Sequence, residues 1–174
     1  EPRRSKASLA RSHQLKTRVN TAIDSAIDYL KLAQHRDGSW RGHHDGGHAH
    51  RNGLTALSAY ALVKSGIKKD DPCIIRALNW LHQVPCDTTY SAACLLMLLA
   101  AVDDDEHLEW AEELTDFLIE IQGNDKTGLW AYPSSSWDFS NTQYAALGLR
   151  AATELGVRIP AKVWERLIKG TLEM

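Results

Sequence analysis

The sequence lacks most of the features that would assign it quickly to a special class of protein. Its three cysteines, Cys73, Cys86 and Cys94, are odd in number and form no Cys-x-x-Cys pair, so we expect no disulfide framework. The longest apolar run, 92–102, is about half of what a membrane-spanning helix needs. The chain also has no phosphate-binding P-loop, no Gly-x-Gly-x-x-Gly, no Gly-x-Ser-x-Gly and no His-Glu-x-x-His. None of the commonest nucleotide-binding or hydrolytic signatures is therefore present, and no membrane span is expected.

The sequence has no large excess of positive or negative charge, since its 174 residues carry a net charge of −2. This balance argues against a nucleic-acid-binding protein. The basic residues are nevertheless concentrated at the start, where residues 1–18 hold six Lys or Arg and one Glu. Such a stretch could be an arm that touches RNA or anionic lipid, but a solvated leader is the preferred interpretation. We therefore predict a flexible basic segment over 1–17 and one soluble domain over 18–174, in a compartment that the sequence leaves open.

Apolar residues recur at helical spacing and no strand pattern appears, which predicts an all-α fold. The expected helices alternate in character, since the first, third and fifth are charged on one face and the second, fourth and sixth are almost entirely apolar. This alternation is typical of an outer and an inner helix layer built from stacked helical hairpins. The predicted helices cover about 18–34, 54–64, 72–83, 90–102, a segment ending at 121 after a cap at 103–105, 140–155, and a seventh from 160 onward.

One short pattern occurs twice. In each copy an aromatic-Leu pair precedes a glutamine at a helix end, and Gly-x-Trp follows. Glycine allows the chain to reverse, and tryptophan supplies a large apolar anchor, so each copy is expected to join two helical hairpins. The first joint consists of Gln34, Gly38 and Trp40, and the second consists of Gln122, Gly128 and Trp130, with the two tryptophans 90 residues apart. The pairs Leu57 and Leu147, and Gly66 and Gly156, show the same separation.

This pattern resembles the QW motif of squalene–hopene cyclases, and the segment 138–149 resembles an inner-helix start in prenyltransferase/squalene oxidase repeat proteins. The resemblance covers about residues 20–170. It implies an α/α toroid, of which about three hairpins and a partial seventh helix are present, so the chain is expected to be part of a longer protein. The basic-small pair that opens the full motif is incomplete in both copies.

In such a toroid the N-termini of the inner helices gather at one end of the cavity and attract polar ligands. The expected ligand-binding residues there are Asn52, Tyr90, Trp137, Asp138, Asn141 and Gln143. The alternative is that Asp87, Ser140 and Asn141 are only helix caps. Likewise, Tyr60, Tyr90, Trp137 and Tyr144 could stabilise a carbocation, although aromatic residues on apolar helices more often belong to the core.

Four histidines, His43, His44, His48 and His50, lie close together in one predicted loop. Imidazoles are the usual ligands of Zn²⁺, so zinc is the one cofactor that the sequence suggests. A glycine pair inside the loop argues against helical spacing of the ligands, and no second ligand group is evident. The alternatives are a loop that takes up metal adventitiously and one whose histidines line the mouth of the cavity.

Two acidic motifs resemble catalytic ones but do not fit them. Asp103-Asp104-Asp105-Glu106 is close to the Asp-x-Asp-Asp of triterpene cyclases, yet it caps a charged outer helix. Asp71-Pro72-Cys73 is similar to the Asp-x-Cys zinc ligands of protein prenyltransferases, yet it also opens an outer helix. Both are therefore interpreted as helix caps.

The favoured hypothesis is a non-catalytic repeat domain that binds a hydrophobic or isoprenoid-like ligand, or a protein partner, at its concave inner-helix face. The first alternative is part of an isoprenoid enzyme, a terpene cyclase or prenyl transferase, with catalytic residues outside this chain. The second is a metal-dependent enzyme that uses the histidine loop. The sequence does not give the ligand or the oligomeric state.

Overall fold

The computed structural model describes residues 6–42, 51–123, 127–132 and 137–173. Within these residues there is no β-strand, only an isolated antiparallel bridge between Ala131 and Trp137. The prediction of an all-α fold is confirmed. Seven α-helices and one 3₁₀ turn follow in the order α1 (Lys6–Ala33), α2 (Arg51–Lys64), α3 (Pro72–His82), α4 (Thr89–Val102), the 3₁₀ turn (Asp105–His107), α5 (Leu108–Glu120), α6 (Phe139–Glu154) and α7 (Ala161–Leu172).

The chain divides into two compact units, Glu1–Gln34 and His35–Met174. The first unit contains α1, which begins at Lys6, whereas the sequence predicted a helix only from Arg18 and a flexible segment before it. Residues 6–17 contain neither glycine nor proline and are rich in good helix formers, so a helix forms there without an apolar stripe. The helix ends at Ala33, one residue before Gln34, where the sequence predicted its end.

In the second unit, α4 packs against both α2 and α6 and lies between them, and these three helices are called the first layer. Helix α3 packs on α2, while α5 packs on α4 and α6, which places the charged helices in a second layer. An almost entirely apolar fourth helix is expected to be buried on all sides, and ten of the fourteen residues of α4 are buried. A helix without charged side chains can be packed on all sides, because no charged group has to be removed from water.

Glycine brings the first-layer helices close together. A Cβ atom at Gly148 of α6 would lie 2.7 Å from the Ala93 Cα of α4. A Cβ atom at Gly53 of α2 would collide with the ring of Tyr90, so this ring lies directly on the α2 backbone. Small residues at the crossings therefore set the spacing of the layer and hold one of the predicted site residues in place.

The helix caps follow local chemistry but not always at the predicted residue. Asp71 caps α3 as expected, and its carboxylate accepts a hydrogen bond from the Cys73 N–H at 3.0 Å. Helix α4 is capped by Thr88 rather than Asp87, and α6 by Asp138 rather than Ser140 or Asn141. In both cases an extended backbone lets the side chain reach an N–H group three residues later, which decides among neighbouring polar residues.

The second joint has a defined geometry. The Gln122 amide is buried, and its Nε2 donates to the carbonyl oxygens of Gly128 at 3.0 Å and Val163 at 2.9 Å. The fully buried Trp130 donates its indole N–H to the Leu118 carbonyl oxygen at 2.8 Å. These bonds tie the end of α5 to the following loop and to α7, so the glutamine and the tryptophan connect one helix pair to the next element of the chain.

The two joints are alike in their backbone contacts. The N–H of Trp40 donates to the Thr55 hydroxyl at 3.1 Å, and the N–H of Trp130 donates to the Thr142 hydroxyl, also at 3.1 Å. Each threonine in turn approaches the carbonyl oxygen of its tryptophan at 3.4 Å. In both copies, a threonine on a first-layer helix therefore holds the backbone of the tryptophan in place.

The register of 90 residues does not hold throughout the repeat. Thr55 follows Trp40 by 15 residues, whereas Thr142 follows Trp130 by 12. The register returns at the helix ends, where Gly66 and Gly156 have φ values of +97° and +93°. The segment from tryptophan to threonine is therefore longer in the first copy, and the segment from threonine to the final glycine is longer in the second. Near the start of these helices, residues 90 positions apart are consequently not structurally equivalent.

Candidate functional site

Of the four predicted aromatic residues, Tyr90, Trp137 and Tyr144 lie in or just before the N-terminal halves of α4 and α6, whereas Tyr60 lies in the C-terminal half of α2. Tyr90 of α4 and Tyr144 of α6 meet edge to face with ring centroids 4.8 Å apart. Burial raises the pKa of Tyr90 far above its usual value, so this phenol stays protonated at neutral pH. Nearby in sequence, Trp137 contacts Phe139 edge to face at 5.4 Å, and Phe139 is exposed.

The predicted polar site residues form structural hydrogen bonds. The Asp138 carboxylate accepts from the Asn141 backbone N–H at 2.8 Å and from its side-chain Nδ2 at 2.7 Å. The Asn52 Nδ2 donates to the Pro85 carbonyl oxygen at 2.5 Å, while Gln143 is exposed to solvent. The capping alternative therefore describes how Asp138 and Asn141 are used, and their proposed role toward a ligand stays a prediction.

Two of the cysteine thiols near this end of the layer have raised pKa values. Burial raises the pKa of both Cys86 and Cys94 to about 12. Because the thiolate is the nucleophile and the metal ligand, neither thiol is prepared for such chemistry at neutral pH. Cys94 is fully buried within α4, in agreement with its interpretation as a small core residue.

A pocket that the sequence did not predict lies at the opposite end, between the C-terminal halves of α2, α4 and α6. Its volume is about 250 Å³. The apolar part of its lining consists of Met97, Ala100 and Ala101 from α4 and of Leu147 and Ala151 from α6. Leu147 is 40% exposed, so the pocket opens to solvent. It is slightly smaller than the roughly 300 Å³ at which drug-sized ligand pockets begin, so it suits one short apolar group.

The polar part of the pocket lining comes from the two flanking helices. Tyr60 and Lys64 belong to α2, while Arg150 and Glu154 belong to α6. The Arg150 guanidinium lies 3.2 Å from the Glu154 carboxylate, and the two side chains are 75% and 58% exposed. Exposed pairs of this kind contribute about 0–1 kcal/mol, so the pair can open at little cost. Two cationic groups and one anionic group give the rim a formal charge of +1.

Helix direction affects the electrostatics of this pocket. All three helices present their C-terminal halves, and the partial negative charge at a helix C-terminus disfavours an anion by about 0.3–1 kcal/mol. A hydrogen bond to a charged group contributes about 1.5–3 kcal/mol. The three helix ends together disfavour an anion by about 1–3 kcal/mol. Contact with both Lys64 and Arg150 is therefore needed to outweigh them. A charged residue on helices otherwise rich in small apolar residues was the signal that could have indicated this pocket.

The acidic motifs are engaged in structural contacts. The Asp104 carboxylate pairs with the Lys69 ammonium group at 2.8 Å and caps the 3₁₀ turn. Its hydrogen bond with Lys69 holds the pKa of Asp104 below its usual value. A carboxyl group that donates a proton in catalysis needs the opposite shift. The interpretation of this motif and of Asp71 as caps agrees with these contacts.

The predicted zinc ligands His43, His44, His48 and His50 lie outside the described residues, so their arrangement is not addressed by the structure. Among the residues that are described, no group of three or more His, Cys, Asp or Glu side chains could hold a metal ion. The same part of the chain contains no helix that is both long and apolar enough to cross a membrane.

Comparison with known proteins adds no family to these observations. No protein-family model, curated protein or solved structure matches the chain.

Proposed function

We propose that this chain is a non-catalytic helical repeat domain of the α/α-toroid type that binds a small apolar ligand group on the exposed face of its first layer. The pocket between α2, α4 and α6 is the observation that carries the proposal. Its apolar lining is contributed by α4 and α6, which are separate in sequence and held together by small residues at their crossing. Concave pockets that combine apolar walls with polar groups are the usual form of ligand sites, and in this pocket polar atoms form the larger part of the exposed lining.

Two structural features support the toroid part of the proposal. The first is the alternation of apolar first-layer helices with charged second-layer helices. The second is the repeated joint, in which a glycine with positive φ and a threonine-held tryptophan recur in the same roles. A repeated unit that stacks on its neighbour buries a continuous core and leaves its exposed layer for binding.

Filling the pocket should abolish most of this binding. Replacing Ala101 by leucine adds three carbon atoms to the apolar lining and should weaken binding of the neutral fluorophore N-phenyl-1-naphthylamine about tenfold. The measurement is a fluorescence titration of the native chain and the variant, each checked by thermal melting. The matched control is Ala161→Leu, which makes the same change at an exposed position on α7. Saturable binding that is equal in all three proteins would contradict the assignment of the pocket, as would no binding at all.

The isoprenoid-enzyme alternative remains open but cannot rely on the acidic motifs of this chain. Asp71 and Asp104 are both engaged in helix-end hydrogen bonds, and the Asp104 carboxylate is held ionised by Lys69. A cyclase or transferase built on this domain would need other acids or metal ligands.

The metal-dependent alternative can be tested without activity. If the histidine loop holds a specific site, Zn²⁺ should bind the native chain with a stoichiometry near one, and the variant with His43, His44, His48 and His50 all replaced by alanine should not bind it. Isothermal titration calorimetry provides the measurement. Our proposal predicts the other result, in which binding is weak and does not saturate and the quadruple variant melts at nearly the same temperature as the native chain.

A further inference from the structure

We propose that the ligand of this pocket is a short apolar chain that ends in a carboxylate. The inference rests on the proposed function, since it assigns a chemical class to the occupant of the same pocket. The apolar part of the lining selects the chain, and the basic groups on the two opposite helices select the anionic end.

The placement of the charges follows the internal repeat. Lys64 and Glu154 occupy equivalent positions, 90 residues apart, in the last turns of α2 and α6. One wall of the pocket therefore carries an ammonium group, while the equivalent residue on the other wall is a carboxylate that Arg150 neutralises at 3.2 Å. Without its arginine partner the second wall would repel an anion. With it, the rim as a whole is cationic.

Arg150 can bind a ligand while it keeps Glu154, because its hydrogen bond to Glu154 uses Nε, and its side chain is largely exposed, which leaves the Nη groups accessible. A guanidinium group binds a carboxylate through two parallel N–H donors, a geometry that an alcohol cannot satisfy. Lys64 on the opposite wall supplies a mobile point charge. A neutral chain would leave both cations in water, and a chain ending in an ammonium group would meet them with the same charge.

The volume limits the size of the chain. About 250 Å³ is less than drug-sized ligands occupy, so a straight chain of medium length can be enclosed. Leu147 leaves the pocket partly open, so the larger N-phenyl-1-naphthylamine can bind with part of its ring surface outside. Octanoate, octan-1-ol and octylamine share the same chain and differ only in the end group, which makes them suitable probes.

The test is displacement of N-phenyl-1-naphthylamine from the native chain by these three compounds at low ionic strength. Octanoate should displace the fluorophore at a concentration about tenfold lower than octan-1-ol, and octylamine should be the weakest. Lys64→Met and Arg150→Met should each reduce the octanoate-to-octanol ratio about three- to fivefold. Lys162→Met, at an exposed position of α7, should leave the ratio unchanged.

The outcomes separate the two proposals. If the fluorophore does not bind, or if Ala101→Leu does not affect it, the pocket itself is misassigned and the proposed function fails. If the fluorophore binds but octanoate and octan-1-ol displace it equally, the pocket stands and the carboxylate assignment is overturned. Equal displacement by octanoate and octylamine would also overturn it. A ratio that falls with Lys64→Met and Arg150→Met but not with Lys162→Met supports it.

Discussion

Replacing Trp130 by alanine is expected to lower the free energy of unfolding by about 3–5 kcal/mol, the usual cost of truncating a buried aromatic side chain. Trp130 is fully buried and its indole N–H donates to the Leu118 carbonyl oxygen at 2.8 Å. Alanine would leave a cavity at the second joint and a buried carbonyl oxygen without its donor. Chemical denaturation with urea, followed by circular dichroism, measures the change.

Two further substitutions test the reason for this loss. Trp130→Phe keeps most of the apolar volume but removes the indole donor, so its cost should lie well below that of alanine. Trp40→Ala should also destabilise the protein, because Trp40 is only 4% exposed and its backbone is held by Thr55 in the same way. Unchanged unfolding in both Trp40→Ala and Trp130→Ala would show that the joints do not hold the helical hairpins together.

Replacing Gly38 by alanine should be nearly as damaging as removing a core side chain. Gly38 has a φ of +95°, and a Cβ atom there would collide with the carbonyl group of Arg76 in α3. The left-handed backbone alone costs about 1–2 kcal/mol for alanine. Displacing a backbone carbonyl adds about 1–3 kcal/mol, so we expect a total loss of about 3 kcal/mol or more.

Gly66 provides a matched control for this prediction. Its φ of +97° is almost the same, but nothing lies within 4 Å of a Cβ atom placed at this position. Gly66→Ala should therefore lose only the conformational part, about 1–2 kcal/mol. Gly128 has a φ of +78°, and a Cβ atom there would lie 2.6 Å from the Arg166 carbonyl oxygen, so it should behave like Gly38. Equal losses at Gly38 and Gly66 would mean that the close approach to α3 contributes nothing to stability.

These glycine and tryptophan positions were predictable because their signals are local. Gly-x-Trp after a glutamine marked the joints, and the glycine after the last apolar residue marked the end of α2. The threonines that hold the two tryptophans were not predicted. Thr55 and Thr142 differ in their distance from the tryptophan, so a search at constant spacing does not pair them.

The candidate site shows a larger gap between sequence and structure. The polar residues at the helix starts were expected to face a ligand, and this stays a prediction; the structure shows that Asp138, Asn141 and Asn52 form hydrogen bonds within the chain. A polar side chain just before a helix gives the same sequence pattern whether it caps the helix or lines a pocket. The hydrogen-bond partners come only from the tertiary structure, as Pro85 does for Asn52 from 33 residues away.

The sequence by itself determined that the chain is all-helical, that apolar and charged helices alternate in the second unit, and where most of these helices end. Periodicity, glycine with positive φ and capping chemistry act within a few residues, so they can be read in order along the chain. The tertiary structure decided where the pocket lies. It forms because Tyr60, Met97 and Leu147, on three different helices, lie around one space, and the close crossing of α4 and α6 at Gly148 sets part of its width. Such a space depends on how helix surfaces meet, and no single segment of the sequence contains that information.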